Sequence, residues 1–148
     1  MRVLVQRVLN ASVEVDKKEV GKTSKGLLIL VGFTYNDTIE DINYLVDKVI
    51  NLRIFDDENG VMNKSLLDIK GSILSVSQFT LYADASHGRR PSYVKALNGS
   101  DAIKLYDIFN SKLKEFVPVE QGIFGADMKV SLVNDGPVTI LLESRNHD

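Results

Sequence analysis

Apolar and polar residues alternate along the first part of the chain, and a continuous apolar run follows. The alternation over residues 3–8, and again over 13–15, predicts short strands with one face turned inward. Residues 16–18 predict a hairpin turn that leads to another short strand around Val20. The run over residues 26–33 is apolar on both faces of an extended chain and predicts a buried strand.

Two later segments have apolar residues at every third or fourth position, which predicts amphipathic helices. The first helix extends to Leu52, with Asp37 or Thr38 as its N-cap. The second follows Ser100, the predicted cap, and Pro118 ends it.

The rest of the chain predicts strands, turns and one long polar loop. In chain order these are a short strand over residues 53–55, a turn over 57–60, a long strand over 73–82, a loop over 83–100, and strands over 128–133 and 138–143 that flank a turn at 134–137. Together the elements predict one α/β domain over residues 1–148, with more strand than helix.

The amino-acid composition excludes several kinds of chemistry. The chain has no cysteine, which excludes disulfides, thiolate nucleophiles and iron–sulfur clusters. Its two histidines, His87 and His147, do not occur in a zinc-ligand spacing, so we predict neither a metal nor a cofactor. The net charge of −2 argues against a protein that coats nucleic acid through bulk charge. An RNA partner would have to be held locally.

No segment of the sequence predicts a membrane partner or an export signal. The apolar run over residues 26–33 is far shorter than the roughly 20 residues of a membrane helix. Residues 1–8 lack the unbroken apolar stretch of a signal peptide. We therefore expect a cytoplasmic protein.

Three short segments could carry chemistry. Residues 77–81, Ser-Gln-Phe-Thr-Leu, place hydroxyl and amide groups at the end of an apolar strand. Gly136-Pro137 lies in a turn, and because only about one X-Pro bond in twenty is cis, these residues alone predict trans. Arg89-Arg90 in the polar loop could hold an RNA phosphate. Gly21-Lys22-Thr23, by contrast, lacks the upstream glycine of a phosphate-binding loop.

Residues 77–81 and 134–139 resemble the two signatures of the D-aminoacyl-tRNA deacylases, also called D-tyrosyl-tRNA deacylases. That family carries S-Q-F-T-L at a strand end and N-x-G-P-V-T in a turn, and both motifs are intact here. The likeness continues nearly end to end, with similar stretches at residues 6–8, 51–55, 88–92 and 124–128.

The resemblance implies a three-layer fold, with two β layers and one helical layer, that assembles as a homodimer with active sites at its interface. It also implies a cis bond between Gly136 and Pro137, in a turn that reaches into the partner's site. There the two carbonyl oxygens would hold the substrate's α-amino group, so that an L side chain would meet the protein wall. The implied activity is hydrolysis of D-aminoacyl-tRNA, and of mischarged glycyl-tRNA, with L-aminoacyl-tRNA spared.

The same resemblance implies roles for individual residues. The catalytic segment is Ser77, Gln78, Phe79 and Thr80; the substrate-binding residues are Asn134, Gly136, Pro137, Val138, Thr139, Phe124 and Met128; and Arg89 and Arg90 contact RNA phosphate. A backbone N–H at Phe79 or Thr80 would stabilise the developing oxyanion. The attacking group is Thr80, an enzyme-bound water or the tRNA 2′-hydroxyl, and the lack of a base in the motif favours water.

Two other functions stay open at the level of sequence. A non-catalytic RNA-binding dimer would use Arg89 and Arg90 and employ the Gly136-Pro137 turn structurally. A general esterase for small metabolites would cleave esters that lack adenosine. Release of a D-amino acid with turnover separates the enzyme from the binder.

Overall fold

A computed structural model describes residues 1–145 of the chain. Its strands are β1 (Arg2–Val15), β2 (Lys18–Thr23), β3 (Gly26–Gly32), β4 (Phe55–Asp56), β5 (Met62–Lys64), β6 (Ser72–Ser77), β7 (Val119–Gln121) and β8 (Lys129–Glu143). The helices are α1 (Ile39–Asn51) and α2 (Gly99–Lys114), and a 3-10 helix covers Phe79–Tyr82. No helix within the described residues is long and apolar enough to cross a membrane.

The main sheet forms around β1. The first part of this strand, Arg2–Val8, pairs antiparallel with β3, and the last part, Ala11–Val15, pairs antiparallel with β2. β8 pairs antiparallel with β1 along nearly its whole length. β3 and β6 are parallel neighbours, as are β6 and β7, which completes a mixed six-stranded sheet. β4 and β5 form a separate antiparallel pair.

Two hydrophobic cores lie on opposite faces of β3. Leu27, Ile29 and Val31 face the first core, which also contains the buried sides of α1 and α2. Leu28 faces the second core, which the later part of β1, the strand β6 and the first half of β8 complete. Because side chains alternate along a strand, these cores separate one helical layer and two β layers. The predicted strand-rich α/β fold is confirmed.

Both helices occur where the periodicity predicts them. α1 is capped by Thr38, whose backbone N–H is bonded to Asp41 Oδ2 at 2.8 Å. The cap of α2 is Asn98, and the prediction of Ser100 is wrong: Asn98 Oδ1 accepts the Asp101 N–H at 3.0 Å. Asn and Ser are equally good caps, so composition did not separate two candidates that lie two positions apart.

The long strand predicted over residues 73–82 is also wrong. β6 ends at Ser77, and the chain then turns into the 3-10 helix. Gln78 makes the last bond to the neighbouring strand, donating its N–H to Val31 O at 2.8 Å. Over so few residues, alternating apolar positions fit a 3-10 turn as well as a strand, which is why the pattern misled.

Several strand boundaries differ from the prediction. β1 is one strand where two were expected, and the two strands predicted at the end of the chain are the single strand β8. Gln6 and Val8 pair with Thr139 and Asn134, so two steps along β1 oppose five along β8. The extra residues leave the ladder as a long bulge, which contains the predicted turn. β5 and β7 were not predicted, and the strand expected over residues 53–55 is reduced to β4.

Candidate active site

A cavity of about 560 Å³ lies where β3 and β6 end. Five residues of the predicted site line it: Ser77, Gln78, Phe79, Phe124 and Met128. Most of the remaining wall consists of apolar side chains and glycines, which come from the ends of β3 and β6, the start of α2, the first part of β8 and the loops over residues 93–97 and 125–127. The volume falls within the roughly 300–1,000 Å³ that is typical of small-ligand sites.

Close backbone contact shapes one side of this cavity. Gly32 ends β3, and a Cβ there would lie 2.8 Å from the Gln78 carbonyl oxygen and 3.1 Å from Leu81 Cβ. A backbone carbonyl cannot move aside as a flexible side chain can, so a larger residue would displace the start of the 3-10 helix. Glycine at this position therefore allows the signature segment to pack against β3.

Thr80 lies at the edge of the site and not in the cavity wall. Its hydroxyl oxygen accepts a hydrogen bond from the Gln78 side-chain amide, and the residue is exposed. The titratable residues of the wall, as far as the structure describes it, are Tyr93 and Asp127, and Asp127 pairs with Lys129 at 3.1 Å. Among residues 1–145, no imidazole or carboxylate hydrogen-bonds the Thr80 hydroxyl.

The turn at the second signature is closed by its own asparagine. Asn134 Oδ1 accepts the Val138 N–H at 2.8 Å, and Asn134 Nδ2 donates to Val138 O at 3.1 Å. The same Nδ2 donates to Thr139 Oγ1 at 3.1 Å, and Gln6 Nε2 donates to that hydroxyl oxygen at 3.4 Å. One amide side chain thus replaces the ladder bonds that the long bulge interrupts.

Gly136 and Pro137 are exposed at the tip of this turn, and the peptide bond between them is cis. Gly136 has a φ of +144°, which residues with a side chain rarely adopt. Neither residue lines the cavity of this chain. The turn starts beside Val8, which lies opposite Gly26 at the start of β3, whereas the cavity lies at Gly32, about 20 Å further along that strand. The two signatures therefore lie apart within one chain.

A buried arginine supports the turn from within the sheet. Arg7 Nε donates to Asp135 O at 2.8 Å, and Arg7 Nη1 donates to Ile54 O at 2.6 Å. The Asp135 carboxylate lies 3.8 Å from the guanidinium. The sequence interpretation gave Arg7 no role. The signal was its position on the inward face of β1, because an arginine there needs buried partners.

The arginine pair lies on an exposed loop outside the cavity wall. Asp84 and Ser92 exchange two backbone hydrogen bonds of 2.8 Å and close the loop that carries Arg89 and Arg90. The Ser86 hydroxyl and the Ser86 N–H donate to the Asp84 carboxylate and lower its pKa. The loop is thus closed at its base, and both arginines face solvent.

No group of three His, Asp or Glu side chains within residues 1–145 is arranged to hold a metal ion. His87 is exposed in the arginine loop and does not line the cavity. His147 lies outside the described residues.

Comparison with known proteins identifies the family. A family model described as D-Tyr-tRNA(Tyr) deacylase matches residues 4–143. The chain belongs to this family. A solved structure named "c-Myc DNA Unwinding Element Binding Protein" is 39% identical, with a TM-score of 0.92 over 97% of this chain and 98% of that one. Another, described as "Structural Analysis of a probable eukaryotic D-amino acid tRNA deacylase", is 19% identical, has a TM-score of 0.83 over 96% and 98% of the two chains, and shows the same fold.

Family membership makes the protein a hydrolase, an aminoacyl-tRNA deacylase, and confirms the predicted family and reaction class. The deacylase carries its first signature, Ser77–Leu81, beside the cavity, with Thr80 at the edge. It carries the second, Asn134–Thr139, on the projecting turn.

We expect Asn134→Ala to loosen the turn while the cavity stays intact. The change removes two hydrogen bonds to Val138, each worth about 0.5–1.5 kcal/mol. Hydrogen exchange at the Val138 amide should therefore accelerate roughly tenfold or more, as measured by NMR. Ser131→Ala, an exposed change on the same strand, should leave that rate unaltered. Equal exchange rates in the wild type and Asn134→Ala would show that the Asn134 side chain does not hold the turn closed.

Proposed function

We propose that the protein hydrolyses the ester bond of D-aminoacyl-tRNA, and of mischarged glycyl-tRNA, and spares L-aminoacyl-tRNA. The observation that carries the proposal is the separation of the two signatures: Ser77–Phe79 line a cavity, and Gly136-Pro137 project from the surface elsewhere. A cavity and a separate turn, which is held in shape by its own hydrogen bonds, suit an active site to which two subunits contribute. The family supplies the reaction class.

The proposed enzyme is a homodimer of one-domain subunits, residues 1–148, in which each turn enters the partner's cavity. The bonds made by Asn134 and Arg7 support this role, because a turn fixed at both ends keeps its shape while it projects. β8 supports it as well. Within residues 1–145 this strand pairs only with β1, and a free strand edge is a surface that a second copy can cover.

In this proposal the cavity receives the terminal adenosine of the tRNA. Ser77, Gln78, Phe124 and Met128 line it, and a volume of about 560 Å³ suits one nucleoside with its amino acid. The Phe124 ring packs on the buried Tyr106 ring at a centroid distance of 5.8 Å. Phe124 therefore presents a supported apolar surface to the ligand.

Handedness is selected by exclusion. The carbonyl oxygens of Gly136 and Pro137 hold the substrate's ammonium group, beside Val138 and Thr139, and the cavity holds the ester carbonyl. With those directions around the α-carbon occupied, an L side chain points into the protein and a D side chain faces solvent. Glycine has no side chain to exclude, so glycyl-tRNA is also a substrate.

The attacking group is a water molecule assisted by the 2′-hydroxyl of the terminal ribose. Water adds to the carbonyl carbon, one of its protons passes to the ribose 3′-oxygen, and the bond between that oxygen and the carbonyl carbon breaks, which releases the free amino acid and the tRNA. Thr80 Oγ1 accepts a hydrogen bond from the Gln78 side-chain amide, and no base among the described residues is placed to deprotonate it. The N–H groups of Phe79 and Thr80 begin the 3-10 helix, where amides lack a helical acceptor, and they donate to the oxyanion. No metal or cofactor takes part.

Nucleic-acid binding without catalysis is the second candidate function. The exposed pair Arg89 and Arg90 favours it, as does the 39% identical structure named as a DNA-unwinding-element binding protein. In the proposed enzyme the same arginines contact phosphates of the tRNA. A general esterase is the third alternative.

The wild-type protein should release D-tyrosine from D-tyrosyl-tRNA with turnover and leave L-tyrosyl-tRNA intact. We expect kcat/KM for the two enantiomers to differ by at least about 10²-fold, equivalent to about 2.7 kcal/mol in the transition state. Release of labelled tyrosine measures both rates. Binding without release would favour the nucleic-acid binder, and comparable cleavage of D-tyrosine ethyl ester would favour the general esterase. Equal rates for both enantiomers would refute the proposal.

Gly136→Ala should lower D-tyrosyl-tRNA hydrolysis by at least about tenfold. A Cβ at this φ of +144° would lie 2.9 Å from the Val138 backbone nitrogen, so the turn has to change shape and its carbonyls leave the ammonium group. Gly60→Ala is the matched control, since Gly60 has a φ of +74° with open space around a Cβ. Similar losses of activity in Gly136→Ala and Gly60→Ala would show that backbone strain at any glycine with positive φ lowers activity, and would contradict a specific role of the turn.

Mixing two variants tests whether the turn acts across the dimer. Ala126→Trp fills the cavity of one subunit, and Gly136→Ala distorts the turn of the other, so each homodimer should lose most of its activity. A heterodimer keeps one open cavity beside one native turn, and subunit exchange should restore activity at that site. If exchange is demonstrated and activity does not return, the cross-subunit arrangement is wrong.

Thr80→Ala should retain most of the activity, because the proposal assigns Thr80 a backbone N–H and no nucleophilic hydroxyl. Loss of a true oxyanion donor costs roughly 10²–10³ in rate, and the backbone donor survives this substitution. Thr80→Val, which keeps the side-chain shape, should behave like Thr80→Ala in single-turnover assays. A folded Thr80→Val protein without activity would restore Thr80 as the nucleophile.

A further inference from the structure

Two aromatic rings stand at the mouth of the cavity. Phe79 and Tyr93 both line it, and their ring centroids lie 5.3 Å apart at an interplanar angle of 67°. Both remain about half exposed, 56% for Phe79 and 46% for Tyr93. In such an edge-to-face pair, the partner ring covers at most one face of each ring. Because Tyr93 is also 46% exposed, part of its ring surface is open to a ligand beside the cavity.

The backbone around Tyr93 is fixed on both sides. Ser92 exchanges backbone hydrogen bonds with Asp84, and the Ala96 N–H donates to Tyr93 O at 3.0 Å. A ring on a backbone held in this way loses little conformational freedom when a ligand packs on it. Tyr93 is thus a preformed surface at the cavity entrance.

A tRNA extends beyond this cavity, because its chain continues on the 5′ side of the terminal adenosine. The volume of about 560 Å³ holds one nucleoside and its amino acid, so the preceding nucleotide has to lie outside the mouth. We propose that Tyr93 stacks on the base of this penultimate nucleotide. The inference rests on the proposed function, since it places the adenosine in the cavity.

Stacking suits the charge of this protein. With a net charge of −2, the chain cannot attract RNA through bulk electrostatics, and the end of the tRNA has to be positioned by local contacts. A base stacked on an aromatic side chain contributes roughly 5- to 150-fold in affinity. Because every base has an aromatic face, the contact also tolerates differences between tRNAs.

The test compares two substrates, D-tyrosyl-tRNA and D-tyrosyl-adenosine, of which the second ends at the nucleoside in the cavity. Tyr93→Ala should lower kcat/KM for the tRNA by roughly 5- to 150-fold more than it lowers kcat/KM for the nucleoside ester, because only the tRNA carries the stacked base. Tyr93→Phe keeps the ring and should match the wild type on both substrates. The control is Phe116→Ala, a 52% exposed aromatic residue in the groove between α1 and α2, which should change neither rate.

Equal losses on both substrates would overturn the inference, because Tyr93 would then only support Phe79 and the cavity. An unchanged rate of Tyr93→Ala on the tRNA would overturn it as well. If the wild type cleaves neither D-ester, the proposed function fails, and a binding measurement tests Tyr93 separately. This measurement uses an acceptor-stem RNA with the fluorescent base pyrrolocytidine at the penultimate position. Its fluorescence should be quenched by the wild type and by Tyr93→Phe, and not by Tyr93→Ala. Quenching that does not depend on the ring would refute stacking.

Discussion

β8 stays paired with β1 from Glu14 to Arg2, although β1 passes from one hydrophobic core to the other about halfway along. The first half of β8 therefore packs with the second core and contributes Val130 to the cavity wall. The second half packs against the helical layer through residues such as Ile140. Between these halves, five residue steps along β8 lie opposite two along β1. The residues of β8 that are left without a pairing partner on β1 form the projecting turn. One strand pairing thus contributes Val130 to the cavity wall and holds the second signature on a turn away from that cavity.

Arg7 couples this turn to the interior of the protein. Its guanidinium is buried, so the carbonyl groups of Ile54 and Asp135 have to be in place whenever the chain is folded. A hydrogen bond to a charged group contributes about 1.5–3 kcal/mol. A change in the turn that breaks the bond between Arg7 and Asp135 therefore costs a sizeable part of the stability of an ordinary domain, while Gly136 at the tip of the turn stays exposed.

In the proposed mechanism the cavity supplies position and backbone donors, and its described wall contains few acid–base side chains. Its described wall contains glycines, apolar side chains and the amide of Gln78, and the Asp127 carboxylate is paired with Lys129. Under the proposed function this is sufficient, because an aminoacyl ester is already activated and orientation contributes much of the rate. Under the same proposal, selection by exclusion requires no group in the wall that recognises a particular D side chain.

Local sequence determined both helices and the apolar strand β3, because their buried positions recur with a regular spacing along the chain. It also determined the two signature segments, which identify the family by their residues. It could not determine which segments meet. Contacts with distant segments decide whether Phe79–Tyr82 continue a strand and whether β8 is one strand or two. They also decide which carbonyl groups accept the hydrogen bonds of the buried Arg7. The same holds for the close contact of Gly32 with Gln78. A periodic pattern reports only which face of a segment is buried, whereas pairing register and backbone contact are set by other segments, so only the tertiary structure decided them.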